Sequence, residues 1–208
     1  MAGGCCDHGV AASGAVERRV LWIVLLVNGA MFLVEGISGW GAQSVSLQAD
    51  ALDFLGDSIN YATALYVLSK PLVWRAAAAL IKGLTMLAFG LFVLGVTLHN
   101  ALSGSSPEAP VMGVIGALAL AANLGAALLL FRFRRGDANL RAVWLCSRND
   151  AIGNLAVLLA AGGVVLTGGA WPDLTVGLIM ASLAVWAGQS VVRQALGELR
   201  QRQPATTG

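Results

Sequence analysis

The sequence has little charge. Asp, Glu, Lys and Arg make up 12% of its 208 residues, against roughly 25% in an ordinary soluble domain. Hydrophobic residues make up 57%. This composition excludes a soluble globular domain and indicates a protein with several membrane spans. The formal net charge of +2 is too small to suggest a nucleic-acid partner.

Cysteine and histidine are also scarce, with three Cys and two His residues. Three cysteines do not suggest a disulfide framework. Cys5, Cys6 and His8 lie close together near the start, where thiolate and imidazole groups could capture zinc; the alternative is a tail without function. Because Arg18 and Arg19 precede a full-length apolar segment, we interpret this start as a cytoplasmic tail and not as a cleaved signal.

Six apolar segments are long enough to cross a hydrocarbon layer, for which about 20 helical residues suffice. They run from about residue 20 to 39, 44 to 68, 76 to 99, 111 to 131, 140 to 166 and 174 to 196. The sequence therefore predicts an all-α membrane protein with six transmembrane helices. Its expected divisions are an N-terminal tail (1–19), a six-helix transmembrane domain (20–197) and a short C-terminal tail (198–208).

The basic residues predict the orientation, because Lys and Arg accumulate on the cytoplasmic side of short loops. The connections around residues 39–44, 98–110 and 167–172 contain no Lys or Arg. The other connections and the tails contain Arg18, Arg19, Lys70, Arg75, Arg132, Arg134, Arg135, Arg141, Arg193, Arg200 and Arg202. We therefore predict that both termini are cytoplasmic and that the protein lies in a bacterial inner membrane.

The second segment carries three carboxyl groups, those of Asp50, Asp53 and Asp57. Spacings of 3 and 4 place them on one face of a helix. A carboxylate in hydrocarbon costs several kcal/mol unless a partner compensates it. These residues therefore predict a cation or proton site inside the membrane.

The fifth segment repeats the i, i+4 spacing with Cys146 and Asp150. Facing the second segment, this pair would complete one sulfur and three oxygen donors, which suit a four-coordinate divalent cation. The alternatives are an Asp paired with Arg148 and a Cys that is merely a small buried apolar residue. We favour the metal site, and we expect Arg148 to point elsewhere, towards Glu35 or a lipid phosphate.

Two stretches resemble a known family, the cation diffusion facilitators. GAQSVSLQADALDFLGDSIN is similar to their second transmembrane helix, where an S-x-S turn leads into a D/H-x-x-x-D metal pair. LRAVWLCSRNDAIGNLAVLLA is similar to their fifth helix, where the usual pair is H-x-x-x-D. The resemblance extends over all six segments. It implies a proton-coupled exporter of divalent transition metals, usually zinc, that is not an enzyme and has no prosthetic group.

Carried over by position, the resemblance implies four metal ligands: Asp53, Asp57, Cys146 and Asp150. Cys146 stands where the family most often has His. Because a thiolate is softer than an imidazole, this departure favours zinc, cadmium or another thiophilic ion over magnesium or calcium. We therefore expect a zinc-like cation as the transported species, with alternating exposure of one site between the second and fifth helices.

Three more polar residues are candidates for a proton relay or for hydrogen bonds to the ligands: Asp50, Glu35 and Asn154. Family members usually continue into a cytoplasmic ferredoxin-like domain, whereas here only a short polar stretch follows the sixth segment. We therefore expect a homodimer held by its membrane helices in contact with lipid. The alternative function is a membrane metal sensor, or an accessory subunit of a metal-resistance system, that binds metal without transporting it.

Overall fold

The computed structural model describes residues 15–66, 70–131 and 138–200. Cys5, Cys6 and His8 lie outside these residues, so the capture site expected there stays a prediction. Within the described residues the chain forms helices and no strand, which confirms the all-α prediction. The six helices are α1 (Ala15–Gly41), α2 (Val45–Tyr66), α3 (Leu72–Ser103), α4 (Ala109–Phe131), α5 (Ala138–Thr167) and α6 (Trp171–Arg200).

Five of the helices are long and apolar enough to cross a membrane. Their spanning parts are residues 18–41, 76–103, 109–131, 147–167 and 171–199. Helix α2 does not belong to this group because Asp50, Asp53 and Asp57 interrupt its apolar sequence. The chain is thus a multi-pass membrane protein, whereas α2 as a sixth span and the orientation of the termini stay predictions.

Helix α2 lies at the centre of the bundle. The most extensive helix pairs are α3 with α6, α1 with α2, and α4 with α5, and α2 also packs against α3, α5 and α6. Every residue from Ser44 to Leu52 is buried. A helix enclosed in this way keeps its polar side chains away from lipid. The packing therefore explains how the most acidic segment can lie inside the bundle.

The bundle has small residues inside and large apolar residues outside, as α4 illustrates. Gly116 and Ala119 lie on its buried face, whereas Val114, Leu118 and Leu128 are exposed. Small residues let membrane helices approach closely, and the large ones suit contact with lipid. This distribution supports the membrane assignment independently of composition.

Candidate metal site

Helices α2 and α5 bring Asp57 and Asp150 together. The carboxyl groups of these two residues are within hydrogen-bonding reach of each other. Asp57 is buried, and Asp150 keeps partial access. The spacing in the sequence predicts that the acidic faces of these helices meet, and the contact involves one residue from each predicted pair; their role as metal ligands stays a prediction.

Tyr61 supports Asp57 from the next turn of α2. Its hydroxyl donates a hydrogen bond of 2.7 Å to Asp57 Oδ2 and lies 3.5 Å from Ser147 Oγ on α5. Tyr61 follows Asp57 by four residues, as Asp57 follows Asp53, so the helical spacing could have identified it. Neither Tyr61 nor Ser147 was among the site residues predicted from the sequence.

Lys82 of α3 supplies positive charge at this end of the site. Its Nζ donates a hydrogen bond to Asn60 Oδ1, and its charge acts on Asp57. One ammonium group does not balance the charges that Asp53, Asp57 and Asp150 carry when ionised. The apolar bundle therefore offers a place where a cation or protons would be bound favourably.

Asp53 lies one turn from Asp57 and is partly accessible. Gly153 of α5 faces it: a Cβ at Gly153 would lie 4.0 Å from Asp53 Oδ2 and 3.7 Å from Asp50 Oδ1. The absence of a side chain at this position leaves room beside both carboxyl groups. Helix α5 thus borders the whole acidic stripe of α2, with Asp150 at one end and Gly153 further along.

Cys146 lies one helical turn before Asp150 on α5, but its side chain is outside the described part of the structure. Among the side chains that are described, no group of three or more His, Cys, Asp and Glu residues could by itself hold a metal ion. The complete set of four ligands therefore stays a prediction.

A chain of buried polar groups begins at Asp50 and crosses the bundle. Asn154 Nδ2 donates a hydrogen bond of 2.6 Å to Asp50 Oδ2, and Asn123 Nδ2 of α4 donates one of 2.9 Å to Asn154 Oδ1. All three side chains are at most 2% exposed. Asn154 is thus a hydrogen-bond partner of Asp50, while its role beside the metal ligands stays a prediction; Asn123 was not among the residues predicted from the sequence.

Glu35 of α1 extends this chain on the other side. Its carboxyl group is within hydrogen-bonding reach of that of Asp50, and no hydroxyl, amide or basic group of the described residues donates to either Glu35 oxygen or to Asp50 Oδ1. The suggested pairing of Glu35 with Arg148 is wrong. Arg148 lies on an exposed face of α5 and donates to Asn149 Oδ1 at 3.2 Å, whereas Glu35 lies on the enclosed face of α1.

Comparison with known proteins identifies relatives of this chain. The cation efflux transmembrane domain family matches residues 74–199. The chain is 24% identical to the cadmium, cobalt and zinc/H(+)-K(+) antiporter of Bacillus velezensis, over 95% of this chain and 67% of the relative. It is 23% identical to the antiporter of the same name from Bacillus subtilis, over 92% of this chain and 66% of the relative.

A third relative is the metal cation efflux system protein CzcD of Cupriavidus metallidurans, with 24% identity over 79% of this chain and 56% of the relative. The chain thus spans about two thirds of the length of the Bacillus relatives. The family match begins in α3, while the alignments with the Bacillus relatives cover nearly the whole chain. The described helices and this match over more than half of the sequence show that the chain belongs to the cation efflux family, the cation diffusion facilitators, as a multi-pass protein of the bacterial plasma membrane.

Proposed function

We propose that this chain exports divalent transition-metal cations from the cytoplasm in exchange for protons. The observation that carries the proposal is the contact between Asp57 of α2 and Asp150 of α5 inside an apolar bundle. Carboxyl groups at such a depth are costly unless a cation or a proton compensates them. The names of the relatives, which include cadmium, cobalt, zinc and H(+), are consistent with this reading.

The proposed metal ligands are Asp53, Asp57, Cys146 and Asp150. In this arrangement the two helices clamp one cation between them, and a relative movement of the helices exposes it to either side. We propose zinc as the main substrate, with cadmium and cobalt as alternatives, because a thiolate in the ligand set favours such ions over magnesium or calcium. The oligomer that we propose is a homodimer formed by membrane helices.

The proton path that we propose starts at Glu35 and Asp50. Their three carboxyl oxygens without a described hydrogen-bond partner are buried next to the stripe that holds the metal. Asn154 and Asn123 fix the orientation of Asp50 through their hydrogen bonds. This pair could exchange protons while Asp53, Asp57 and Asp150 bind metal.

Flux into proteoliposomes tests the proposal. Purified protein is reconstituted with a metal-sensitive dye inside the vesicles, a pH gradient is imposed, and zinc, cadmium, cobalt, nickel, iron and manganese are added in turn. We expect metal entry that depends on the gradient, and a loss of at least about tenfold, or 1.4 kcal/mol, in Asp57→Asn and Asp150→Asn.

Glu198→Gln provides the matched control, because Glu198 is an accessible residue near the end of α6 whose carboxyl group bonds only to Gln194 among the contacts described. Its flux should equal that of the parent. Unchanged flux in both Asp variants would contradict the proposed site. Metal binding without flux, in the parent protein, would favour the sensor or accessory subunit instead.

A further inference from the structure

The start of α2 has an unusually complete set of hydrogen bonds. The first N–H groups of a helix have no partner within the helix. Ser44 caps two of them: its Oγ accepts from Leu47 N at 3.2 Å, and its carbonyl accepts from Gln48 N at 3.3 Å. The N–H groups of Val45 and Ser46 remain, and neither finds its partner in α2.

Asp173 of α6 accepts hydrogen bonds from the N–H groups of both Val45 and Ser46. Its Oδ2 accepts from Val45 N at 2.9 Å, and its Oδ1 accepts from Ser46 N at 3.1 Å. The same Oδ1 accepts from Ser44 Oγ at 2.7 Å and from Ser46 Oγ. A single carboxylate thus binds both serines of the S-x-S turn and two backbone N–H groups of α2.

This junction is buried and closely packed. Asp173, Ser44 and Ser46 are all 0% exposed. One turn further along α6, Gly177 lies against α2: a Cβ at Gly177 would be 2.9 Å from the carbonyl carbon of Val45 and 3.0 Å from Ser46 N. The two backbones are therefore in direct contact here, with no side chain between them.

Separating the two helices at this point would be costly. It would leave a buried carboxylate without its hydrogen-bond donors, and a buried charge without such partners is strongly destabilising. It would also leave two N–H groups of α2 unpaired. Helix α2 contacts α5 less extensively than it contacts α6, so fewer contacts would change if α2 moved relative to α5.

We propose that Asp173 is a positioning residue that keeps the first turns of α2 and α6 joined throughout the transport cycle. This inference rests on the proposed function. Exposure of Asp53, Asp57 and Asp150 then alternates through movement between α2 and α5, while the junction at Asp173 acts as a fixed pivot. The junction is not a gate that opens to release the cation.

A covalent link across the junction distinguishes a pivot from a gate. Ser46→Cys and Asp173→Cys are combined in a background with Cys5→Ser and Cys6→Ser, and the pair is oxidised after reconstitution. Before oxidation this pair lacks the Asp173 carboxylate and should show the low flux expected of Asp173→Asn. For a pivot, the disulfide replaces the lost contacts and raises zinc flux to within about threefold of the background protein treated with the same oxidant. A further loss of flux on oxidation, reversed by reductant, would overturn the proposal.

The matched control links α2 to α5. Leu47 and Val157 belong to one packed cluster of buried residues, and Leu47→Cys with Val157→Cys should stop flux on oxidation and restore it on reduction. If this link left flux unchanged, movement between α2 and α5 would not be needed and the proposal would fail. Oxidation of the background protein alone corrects both measurements for any effect on Cys146.

Asp173→Asn tests whether positioning matters for turnover. It removes the charge and should lower the maximal flux per folded molecule by about tenfold, while the zinc concentration for half-maximal flux stays within about twofold. Asp173→Glu should restore part of the flux. If the loss instead followed only the amount of folded protein, Asp173 would have a stabilising role alone, and the proposal would be overturned.

Hydrogen exchange in the unmodified protein gives a measurement that needs neither a variant nor flux. The amides of Val45 and Ser46 should stay protected both without metal and with saturating zinc. Faster exchange at these amides with zinc would show that the junction opens. If the parent protein showed no flux, the proposed function would be refuted. The exchange rates of the Val45 and Ser46 amides would still show whether the α2–α6 junction stays closed.

Discussion

At the scale of single residues, the site depends on which atoms can hold a cation between α2 and α5. Asp57 and Asp150 meet, and Tyr61 orients Asp57 through a hydrogen bond of 2.7 Å. Oxygen ligands alone would suit many divalent ions, so a sulfur ligand would strongly affect the choice among them. Cys146 is therefore the residue on which metal selectivity is predicted to depend.

Cys146→His should reduce the preference for cadmium over zinc by roughly tenfold, which corresponds to 1.4 kcal/mol, because imidazole is a harder ligand than thiolate. Cys146→Ser is the matched variant and should weaken the flux of all the thiophilic ions. Relative flux rates in proteoliposomes measure both effects. An unchanged selectivity profile in Cys146→His would remove the thiol from the site.

At the scale of helices, the contact between α1 and α2 contains two buried carboxyl groups, those of Glu35 and Asp50, that face each other. No described residue donates a hydrogen bond to Glu35. Such an arrangement is costly for stability when compared with an apolar contact. A role in proton exchange would account for its presence.

Glu35→Gln preserves the shape of the side chain and removes its ability to carry a proton. We expect zinc flux to lose its dependence on the imposed pH gradient, while the melting temperature stays unchanged or rises. Glu108→Gln is the control, because Glu108 is exposed. Flux that still follows the gradient in Glu35→Gln would exclude Glu35 from the proton path.

The contact between α2 and α6 depends on Gly177. A methyl group there would lie 2.7 Å from Val45 Cγ2, and such overpacking typically costs about 1–3 kcal/mol. Gly177→Ala should therefore lower the melting temperature in detergent. Gly162→Ala is the matched change, since a Cβ at Gly162 of α5 meets nothing within 4 Å and alanine favours a helix by about 0.5–1 kcal/mol. Equal melting temperatures would contradict the close contact.

At the scale of the whole molecule, the described structure gives five apolar spans and an enclosed α2, but the orientation still rests on the basic residues. If α2 also crosses the membrane, the connections at residues 42–44 and 104–108 lie on the same side. The bond from Glu108 N to Ala42 O, 3.0 Å long, joins these two connections directly. This contact agrees with the predicted arrangement.

Reporter fusions test the orientation. Green fluorescent protein fused after residue 208 should fluoresce, and alkaline phosphatase at the same place should be inactive, because Lys and Arg favour the cytoplasmic side. Alkaline phosphatase inserted near residue 105, in a connection without Lys or Arg, should be active. The reverse pattern would invert the assignment of both termini.

Much of this architecture could be predicted from the sequence because it depends on local properties. Apolar segments predicted the positions of the helices, and only their ends differed: α3 begins at Leu72 and α6 at Trp171, a few residues before the predicted segments, because helices continue beyond their apolar cores. Spacings of four residues predicted that Asp57 and Asp150 lie on matching faces. These features need no knowledge of neighbouring helices.

The sequence by itself determined the class of the protein, the helical segments and the acidic face of α2, because hydropathy and helical periodicity act over short stretches. Only the tertiary structure decided which distant groups meet. Ser44 and Asp173 are 129 positions apart, and no periodicity connects them. Helical spacing also did not predict that Arg148 is exposed and that Glu35 is buried. The packing of the helices decides whether each of these side chains faces lipid or the interior.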